Sequence, residues 1–410
     1  MYDQCQLANK IQVYNVHHQR DIRYATQLSR WILKPIGIWH LIYARSSRVE
    51  KLFSVTMIFV CFAVLFFVLV PSSPYVLFSK NNISTKAKLL GPVLFCLTSA
   101  VKYYFLGTRG EMIGRCVNQM EDDWRIVRYQ DHRKMMLDNA LVGRRLTTLS
   151  VIFLYTGGLS YHIILPFSTK KGLNNTFTNK PLIYQGYDVY FDSQASPAYD
   201  IVFSVHCVSA VIQYNITTAA CSLAAIFVMH VCGQVQILMT MLGDLVEGER
   251  DKGTSVEERL GVIARYHVRV LRFAVDVEEV LREMCLMELV AATFIICLLE
   301  YYIMTEWENS DVLGIATYFI LFISLSFNFL IFCYIGELLV EEYSKIASAV
   351  YGINWYDLPG HKALHLVMII TMSQYPPKLT AGKFVDFSLS TFSTVLRTSI
   401  VYFNLLRTVT

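Results

Sequence analysis

The sequence predicts an all-α membrane protein with seven transmembrane helices. Of its 410 residues, 54% are apolar and only 17% are charged, and a soluble chain of this size could not cover so much apolar surface. Seven of its segments are rich enough in apolar residues, and long enough, to cross a bilayer, which takes about 20 residues in a helix. Lys and Arg concentrate in alternate connecting segments, as in a chain that crosses the membrane repeatedly.

The seven predicted spans cover residues 52–70, 89–107, 146–167, 201–232, 284–304, 312–335 and 384–406. No apolar run occurs within the first thirty or so residues, so we expect no cleavable signal peptide. The first span must then direct insertion into the membrane.

The distribution of basic residues sets the orientation of these spans. The segment before the first span and those after the second, fourth and sixth together carry 25 Lys and Arg residues, whereas the three loops on the other side carry 6. The N-terminus is therefore predicted in the cytoplasm and the C-terminus outside, the reverse of a G-protein-coupled receptor. Glycosylation sequons at Asn82 and Asn174 fall in two of the loops predicted outside, and we expect both to be modified.

These assignments divide the chain into four parts. We expect a cytoplasmic N-terminal segment (1–51), six spans with a ligand pocket and a cytoplasmic stalk (52–335), a cytoplasmic anchor region with a short helix (336–382), and a seventh span (383–410). The chain carries none of the common catalytic motifs, so we predict no enzyme activity and no cofactor. His361 and His365 have the spacing of a metal pair but lack a third ligand nearby, and the basic residues form no stripe for nucleic acid.

A long helix is predicted from about residue 255 to residue 302. It begins at a capping box, Thr254 to Glu257. The residues on one of its faces recur at alternating steps of three and four, so this face should be buried. They are Leu260, Ile263, His267, Val270, Ala274, Val277, Leu281 and Met284. About 40 Å of this helix would project into the cytoplasm as a stalk, the alternative being a helix that lies on the membrane surface.

A short helix should precede the last span. Its apolar run from Leu364 to Met372 is too short to cross a bilayer, and Pro376 and Pro377 must end it. We expect Gly382 to form the hinge between this helix and the last span.

The last span carries a polar stripe. At 100° per residue one arc of about 120° holds Ser390, Ser393, Thr394, Arg397, Val401, Asn404, Leu405 and Thr408. A charged side chain at the centre of a membrane helix costs about 3 kcal/mol, so Arg397 should face water or an acidic partner. The stripe either packs inside a monomeric bundle or lines a pore between subunits, where bulky apolar groups such as Val401 and Leu405 could gate by excluding water.

The outer halves of spans two, three, four and six combine aromatic walls with a few polar groups, a composition typical of small-molecule pockets as well as of ordinary membrane cores. The candidate ligand-binding residues are Phe95, Tyr155, Thr156, His162, His206, Ser209, Gln213, Tyr318, Phe319 and Phe322.

The C-terminal region resembles a known family. The runs GELLVEEYSKIASAVYGINWYDLP and SQYPPKLTAGKFVDFSLSTFSTVLRTSIVYFNLLR closely resemble the most characteristic region of insect odorant receptors. The resemblance implies a plasma-membrane receptor of sensory-neuron dendrites that binds a small volatile ligand and forms a tetrameric, ligand-gated cation channel with a shared co-receptor. It also implies that the last span lines the pore, with gate residues at Leu405 and Val409, that Thr408 lies near the mouth, and that the short helix joins an intersubunit anchor.

The segment between spans four and five is short, which resembles the ligand-tuning subunits of that family and not the co-receptor. A gustatory-type receptor channel and a secondary transporter are the alternatives. Transporters usually carry internal repeats and broken helices, and no internal repeat is evident in this sequence.

Overall fold

The computed structural model describes residues 15–43, 46–78, 83–164, 182–247, 253–308 and 310–409. Within these ranges the chain forms eleven α-helices and one two-stranded hairpin. The helices are α1 (His18–Leu33), α2 (Trp39–Ile42), α3 (Arg48–Phe78), α4 (Ile83–Thr108), α5 (Gly110–Ile126), α6 (Gln130–Leu159), α7 (Ala198–Glu247), α8 (Val256–Glu308), α9 (Val312–Tyr351), α10 (Gly360–Ser373) and α11 (Leu389–Val409). The hairpin pairs β1 (Thr380–Ala381) with β2 (Val385–Asp386).

The predicted all-α membrane fold is confirmed. The seven predicted spans fall on α3, α4, α6, α7, α8, α9 and α11. Five of these helices, α3, α4, α7, α8 and α9, are long and apolar enough to cross a membrane. Within the described ranges α6 and α11 are long enough but more polar.

Helix α7 forms the centre of the bundle. Its most apolar stretch is entirely buried, whereas only 28% of the corresponding stretch of α3 is buried. Helices α6, α8 and α9 pack against α7 along much of its length, and α1 and α4 contact it as well. Helix α3 therefore presents most of its apolar surface outward, as expected of a helix that faces lipid.

The predicted long helix is confirmed as α8, and all eight residues predicted on its buried face are buried. The predicted cap was wrong by one residue. The backbone N–H of Glu258 donates to the Ser255 hydroxyl at 3.2 Å, and the backbone N–H of Ser255 donates to the Glu258 carboxylate at 3.2 Å. Ser255 and Glu258 have the same spacing as the predicted pair, so the spacing alone could not distinguish these two starting points of the helix.

The short helix α10 ends at Ser373, before the two prolines, as predicted. The predicted start of the last helix was wrong, because the chain forms the hairpin first and α11 begins at Leu389 and not at 384. Gly382 lies at the tip of that hairpin with φ of +61°, a conformation that glycine adopts without strain. The hairpin is tied to α8, where the backbone N–H of Gly382 donates to the carbonyl of Arg282 at 3.2 Å.

Helix α1 is held to the bundle by an ion pair outside the predicted spans. The Arg133 guanidinium donates to both carboxylate oxygens of the buried Asp21, at 2.6 and 2.8 Å, and the Asn15 amide donates to it at 3.0 Å. Burial by itself raises the pKa of Asp21, but the hydrogen bonds from Arg133 and Asn15 outweigh it and leave the pKa below its ordinary value.

Candidate functional site

A narrow cavity lies within the bundle, between α4, α6, α7, α8 and α9. Its volume of about 40 Å³ is room for only a few water molecules. The wall is almost entirely apolar and aromatic. It consists of Gly91, Pro92, Phe95, Leu154, Tyr161, His162, Tyr184, Tyr214, Ile295, Leu299, Tyr302, Leu321 and Leu325. A drug-sized ligand needs several hundred cubic ångströms, so side chains must move to admit even a small volatile molecule.

Two of the ten predicted ligand-binding residues, Phe95 and His162, line this cavity. Two others lie directly behind its wall. The ring of Tyr155 meets Tyr214 at 5.6 Å, and that of Tyr318 meets Tyr302 at 5.2 Å. Both rings therefore support cavity-lining tyrosines without reaching the cavity themselves.

Thr156, Phe319 and Phe322 do not line the cavity. The side chains of Thr156 and Phe319 are exposed on the outside of the single chain. Phe322 is half-buried, stacks on Phe319 and packs against the cluster around the cavity. These three residues therefore lie near the cavity or on the surface of the chain, and their role in ligand binding stays a prediction.

The remaining three predicted residues, all on α7, hold an outer segment in place. The Gln213 amide donates to Ser209 at 2.9 Å and to the Tyr184 hydroxyl at 3.3 Å. His206 Nε2 lies 3.0 Å from the hydroxyl of Tyr187. These contacts fix the segment from which Tyr184 enters the cavity wall.

Gly186 allows this outer segment to approach α3 closely. It has φ of +109°, and a Cβ there would lie 2.3 Å from the carbonyl oxygen of Pro71. Beside it, the Tyr187 hydroxyl donates to the carbonyl of Phe67 at 3.3 Å. The segment thus closes the outer side of the cavity and is docked on both α3 and α7.

His162 contributes a buried ring nitrogen to the wall that has no hydrogen-bond partner among the described residues. Its Nδ1 lies 3.0 Å from the carbonyl oxygen of Gly158 and 2.6 Å from the Tyr214 hydroxyl. Since the carbonyl can only accept, the contact places the proton on Nδ1 and leaves Nε2 as an acceptor. Nε2 is buried with no hydrogen bond within the described part of the chain. The His162 ring therefore offers a hydrogen-bond acceptor within a mostly apolar wall.

A buried polar network lies beneath the cavity. The Lys102 ammonium donates to Glu288 at 2.9 Å and to Thr217 at 3.0 Å. The Asn328 amide donates to the other oxygen of Glu288 at 2.8 Å, and Ser150 donates to Asn328 at 2.7 Å. All five side chains are buried, so the network ties α4, α6, α7, α8 and α9 together with few unsatisfied groups.

The network reaches the cavity through Phe95, whose ring centroid lies 5.9 Å from the Lys102 ammonium. A cation at this distance from a ring is attracted to it. Nothing in the sequence pattern indicated this network, because its members come from five separate helices.

The polar stripe of α11 faces away from the rest of the chain. Ser390, Ser393, Thr394, Arg397, Val401 and Asn404 are all exposed. Arg397 has no hydrogen-bond or ion-pair partner within the described residues. The side chains of Leu405, Thr408 and Val409, and both sequons at Asn82 and Asn174, lie outside the part of the structure that can be described.

The opposite face of α11 packs on the bundle. Val395 and Ser399 are buried, and the Ser399 hydroxyl donates to Glu300 of α8 at 2.8 Å. Phe403 packs against the cluster that contains Tyr161 and Tyr302, two cavity-lining residues. One packed cluster therefore connects the cavity wall to the last helix.

Comparisons with known proteins agree with this arrangement. Residues 82–400 match the family model described as 7tm Odorant receptor. The chain is 28% identical to odorant receptor 13a of Drosophila melanogaster over 56% of its own length and 62% of the relative's. It is 26% identical to odorant receptor Or2 of Anopheles gambiae over 53% and 58%. These matches span about three fifths of each relative.

The fold also matches a solved structure. The insect olfactory receptor OR5 from Machilis hrabei in complex with eugenol superposes with a TM-score of 0.76, covering 95% of this chain and 100% of that one. The sequence identity is 15%, so the likeness concerns the fold alone.

Proposed function

Because the chain belongs to the odorant receptor family, we propose that it is the ligand-tuning subunit of a heteromeric, odorant-gated cation channel, assembled as a tetramer with the co-receptor. A small volatile molecule binds in the cavity beneath Tyr184, and the pore runs along the polar stripe of α11. The proposal places the assembled channel in the plasma membrane of a sensory-neuron dendrite.

The observation that carries the proposal is the outward orientation of the α11 stripe. In a monomer this face would meet lipid, and Arg397 at the centre of the helix would cost about 3 kcal/mol. A water-filled space shared with other subunits removes that cost. The exposure of Arg397 and Asn404 supports a pore between chains and argues against the alternative in which the stripe packs inside a monomeric bundle.

The exposed apolar surface of α10 supports assembly independently. Leu364 and Met368 are each more than two-thirds exposed on this helix, which is predicted to lie outside the membrane, and Tyr375, two residues after its end, is also largely exposed. Large apolar side chains grouped on a water-facing surface usually mark an interface. The anchor region 336–382 is therefore proposed to contact a neighbouring subunit.

The structure also supports a route from ligand to pore. The cavity is too narrow for an odorant as it stands, so a ligand that enters must push apart Ile295, Leu299 and Tyr302 of α8 and their neighbours. Helix α8 bonds directly to α11 through Glu300 and Ser399. Opening follows if the ligand binds the widened, conducting state more tightly than the narrow one.

The test is current recording from cells that express the chain with the co-receptor, during exposure to a panel of volatile compounds. We expect ligand-evoked cation currents that need both chains. Asn404→Leu and Arg397→Gln should change the relative permeability to monovalent and divalent cations, because both side chains face the proposed pore.

Ile152→Ala is the matched control. Ile152 is as exposed as a pore residue but lies on α6, where we expect lipid, so its substitution should leave permeability unchanged. Evoked currents whose cation selectivity is unchanged by both α11 substitutions would refute the pore assignment. Saturable uptake of a solute without channel-sized currents would favour a transporter instead.

A further inference from the structure

Helix α1 has a basic face that the proposed function does not use. Arg20, Arg23, Arg30 and Lys34 lie within an arc of about 100°, together with Trp31. The side chain of Trp31 is 61% exposed. We call these five residues the basic face of α1.

No acidic side chain offsets these charges on the helix itself. The single acidic residue of α1 is Asp21, which is buried and paired with Arg133. Glu50 accepts the backbone N–H of Ser47 at the start of α3 and attracts Lys34 electrostatically, so it offsets one of the four charges at most. Arg20, Arg23 and Lys34 are exposed beside Trp31, whereas Arg30 is half-buried.

The predicted spans place the C-terminal end of α1 at the level of the cytoplasmic membrane boundary. Directly after it, the carbonyl of Ile36 accepts a hydrogen bond of 2.6 Å from Tyr103, at the inner end of the second span. A Cβ on Gly37 would lie 2.7 Å from the carbonyl oxygen of Ser54, at the inner end of the first span. Trp31 and Lys34 are less than two helical turns before these contacts, at the depth of the lipid headgroups.

The adjacent surface of the bundle faces lipid. Leu52 and Phe53, at the start of the first span, are both more than half exposed. Tryptophan prefers the boundary between hydrocarbon and headgroups, and Lys or Arg near the inner leaflet attracts its anionic lipids. The basic face of α1 thus combines both signals beside a lipid-exposed apolar wall.

We propose that the basic face of α1 binds the headgroups of anionic phospholipids in the cytoplasmic leaflet. The proposal rests on the predicted cytoplasmic N-terminus and not on the identity of the odorant. Arg20, Arg23 and Lys34 supply exposed charges, Arg30 is braced by the ring of Trp39 at 5.3 Å, and Trp31 anchors the helix among the headgroups.

The experiment uses the full-length chain, co-assembled with its channel partner, in lipid nanodiscs of phosphatidylcholine with about 5% phosphatidylserine. Brominated acyl chains, which quench tryptophan fluorescence, are carried either by the phosphatidylserine or by an equal amount of the phosphatidylcholine. The Trp31 signal is the difference between the wild type and Trp31→Phe. Each basic residue near the surface favours anionic lipid about fivefold, so we expect at least about fivefold enrichment of phosphatidylserine around Trp31.

The variant with Arg20, Arg23, Arg30 and Lys34 all replaced by Gln should abolish the enrichment. A second variant replaces Arg20, Arg23 and Lys34 and keeps the contact between Arg30 and Trp39, so that a folding defect can be separated from a loss of charge. Replacing the three arginines by Lys should preserve the enrichment, because a point charge suffices for this attraction.

Arg265→Gln combined with Arg272→Gln is the matched control. Both side chains are exposed cations on α8, at least twelve residues before the predicted start of the fifth span. That distance places them about 18 Å or more below the membrane boundary, so their removal should change nothing.

Equal quenching by the two brominated lipids would overturn the proposal, as would an enrichment that survives the loss of the four charges. Competition by about 10 mM inorganic phosphate distinguishes a membrane-bound headgroup from free phosphate as the ligand. Complete loss of enrichment in phosphate, while about the same ionic strength of chloride has no such effect, would identify a soluble anion site and also refute the proposal.

Discussion

Removing the ammonium of Lys102 tests the buried network beneath the cavity. In Lys102→Met, the carboxylate of Glu288 would keep the Asn328 amide but lose its counter-charge, in a site where Glu288 is only 5% exposed. Breaking a buried ion pair on one side costs about 3–5 kcal/mol, because an uncompensated charge stays in the interior.

That cost predicts a measurable thermal shift. An unfolding entropy of about 2.1 cal/mol/K per residue over the 410 residues gives roughly 0.9 kcal/mol/K, so the melting midpoint should fall by about 3–6 °C. The assay is thermal unfolding of the detergent-solubilised channel complex at one fixed heating rate, since membrane proteins often unfold irreversibly.

Two further variants make the result specific to the ion pair. Lys102→Met with Glu288→Gln should recover most of the loss, because a neutral amide oxygen still accepts from Asn328. Lys378→Met removes an exposed pair with Asp386, in which both side chains are about half exposed, and should cost less than about 1 kcal/mol. A single variant as stable as the wild type, or a double variant no better than the single one, would refute the reasoning.

Three other predictions concern the cavity and α1. A Cβ at Gly158 would lie 2.1 Å from the ring of Tyr214, so Gly158→Ala should displace that ring. In a dose–response recording, odorant sensitivity should fall about tenfold or more. Gly107 has open space around it, so Gly107→Ala should leave the sensitivity unchanged. His162→Phe keeps an aromatic ring but removes the free acceptor, so hydroxylated odorants should lose roughly two- to tenfold in potency relative to methylated analogues of the same skeleton; an equal loss for both would contradict the acceptor role. The folded protein lowers the pKa of Asp21 below its ordinary value of 3.8. The ion pair of Asp21 with Arg133 therefore stabilises the fold above about pH 4, and this stabilisation is lost as the pH falls through the lowered pKa. The melting midpoint of the wild type should exceed that of Asp21→Asn at neutral pH and approach it in the acid range.

Periodic features could be predicted from the sequence. The buried face of α8 has a repeat of three and four residues, and such a repeat leaves a helix one way to pack. The stripe of α11 was predictable for the same reason, since Ser390, Arg397 and Asn404 are spaced by sevens and all lie on one exposed face. These predictions need only the geometry of one helix.

The cavity depended on contacts that no single helix specifies. Tyr184 reaches the cavity wall from a loop, and a loop lacks the periodic spacing of apolar residues that identifies the buried face of a helix. The side chain of Gln213 on α7 donates a hydrogen bond to the Tyr184 hydroxyl. The Lys102 ammonium donates to Glu288, which is 186 residues away in the sequence, and no local pattern around either residue indicates this pairing. Composition indicated that the outer half of the bundle could hold a ligand, but not which face of each helix would meet it.

Hydropathy alone does not identify the surroundings of a membrane helix. Helix α7 is apolar and yet its apolar stretch is fully enclosed by protein, whereas α3, also apolar, is largely exposed to the outside. Both environments are free of water, so the same composition suits either. Only packing distinguishes them.

The polarity of α11 is informative in a way that the apolarity of α7 is not. Protein on one side of α11 satisfies Ser399 through Glu300, but the single chain offers Arg397 no acidic partner within its described residues. Lipid on the other side would leave that guanidinium at a cost of about 3 kcal/mol, repeated in every copy of the chain. Water or an acidic group from a neighbouring subunit would remove this cost, and a single chain surrounded by lipid offers neither on that face. The sequence of the last helix therefore suits the proposed channel, in which neighbouring subunits would enclose the water that Arg397 and Asn404 require.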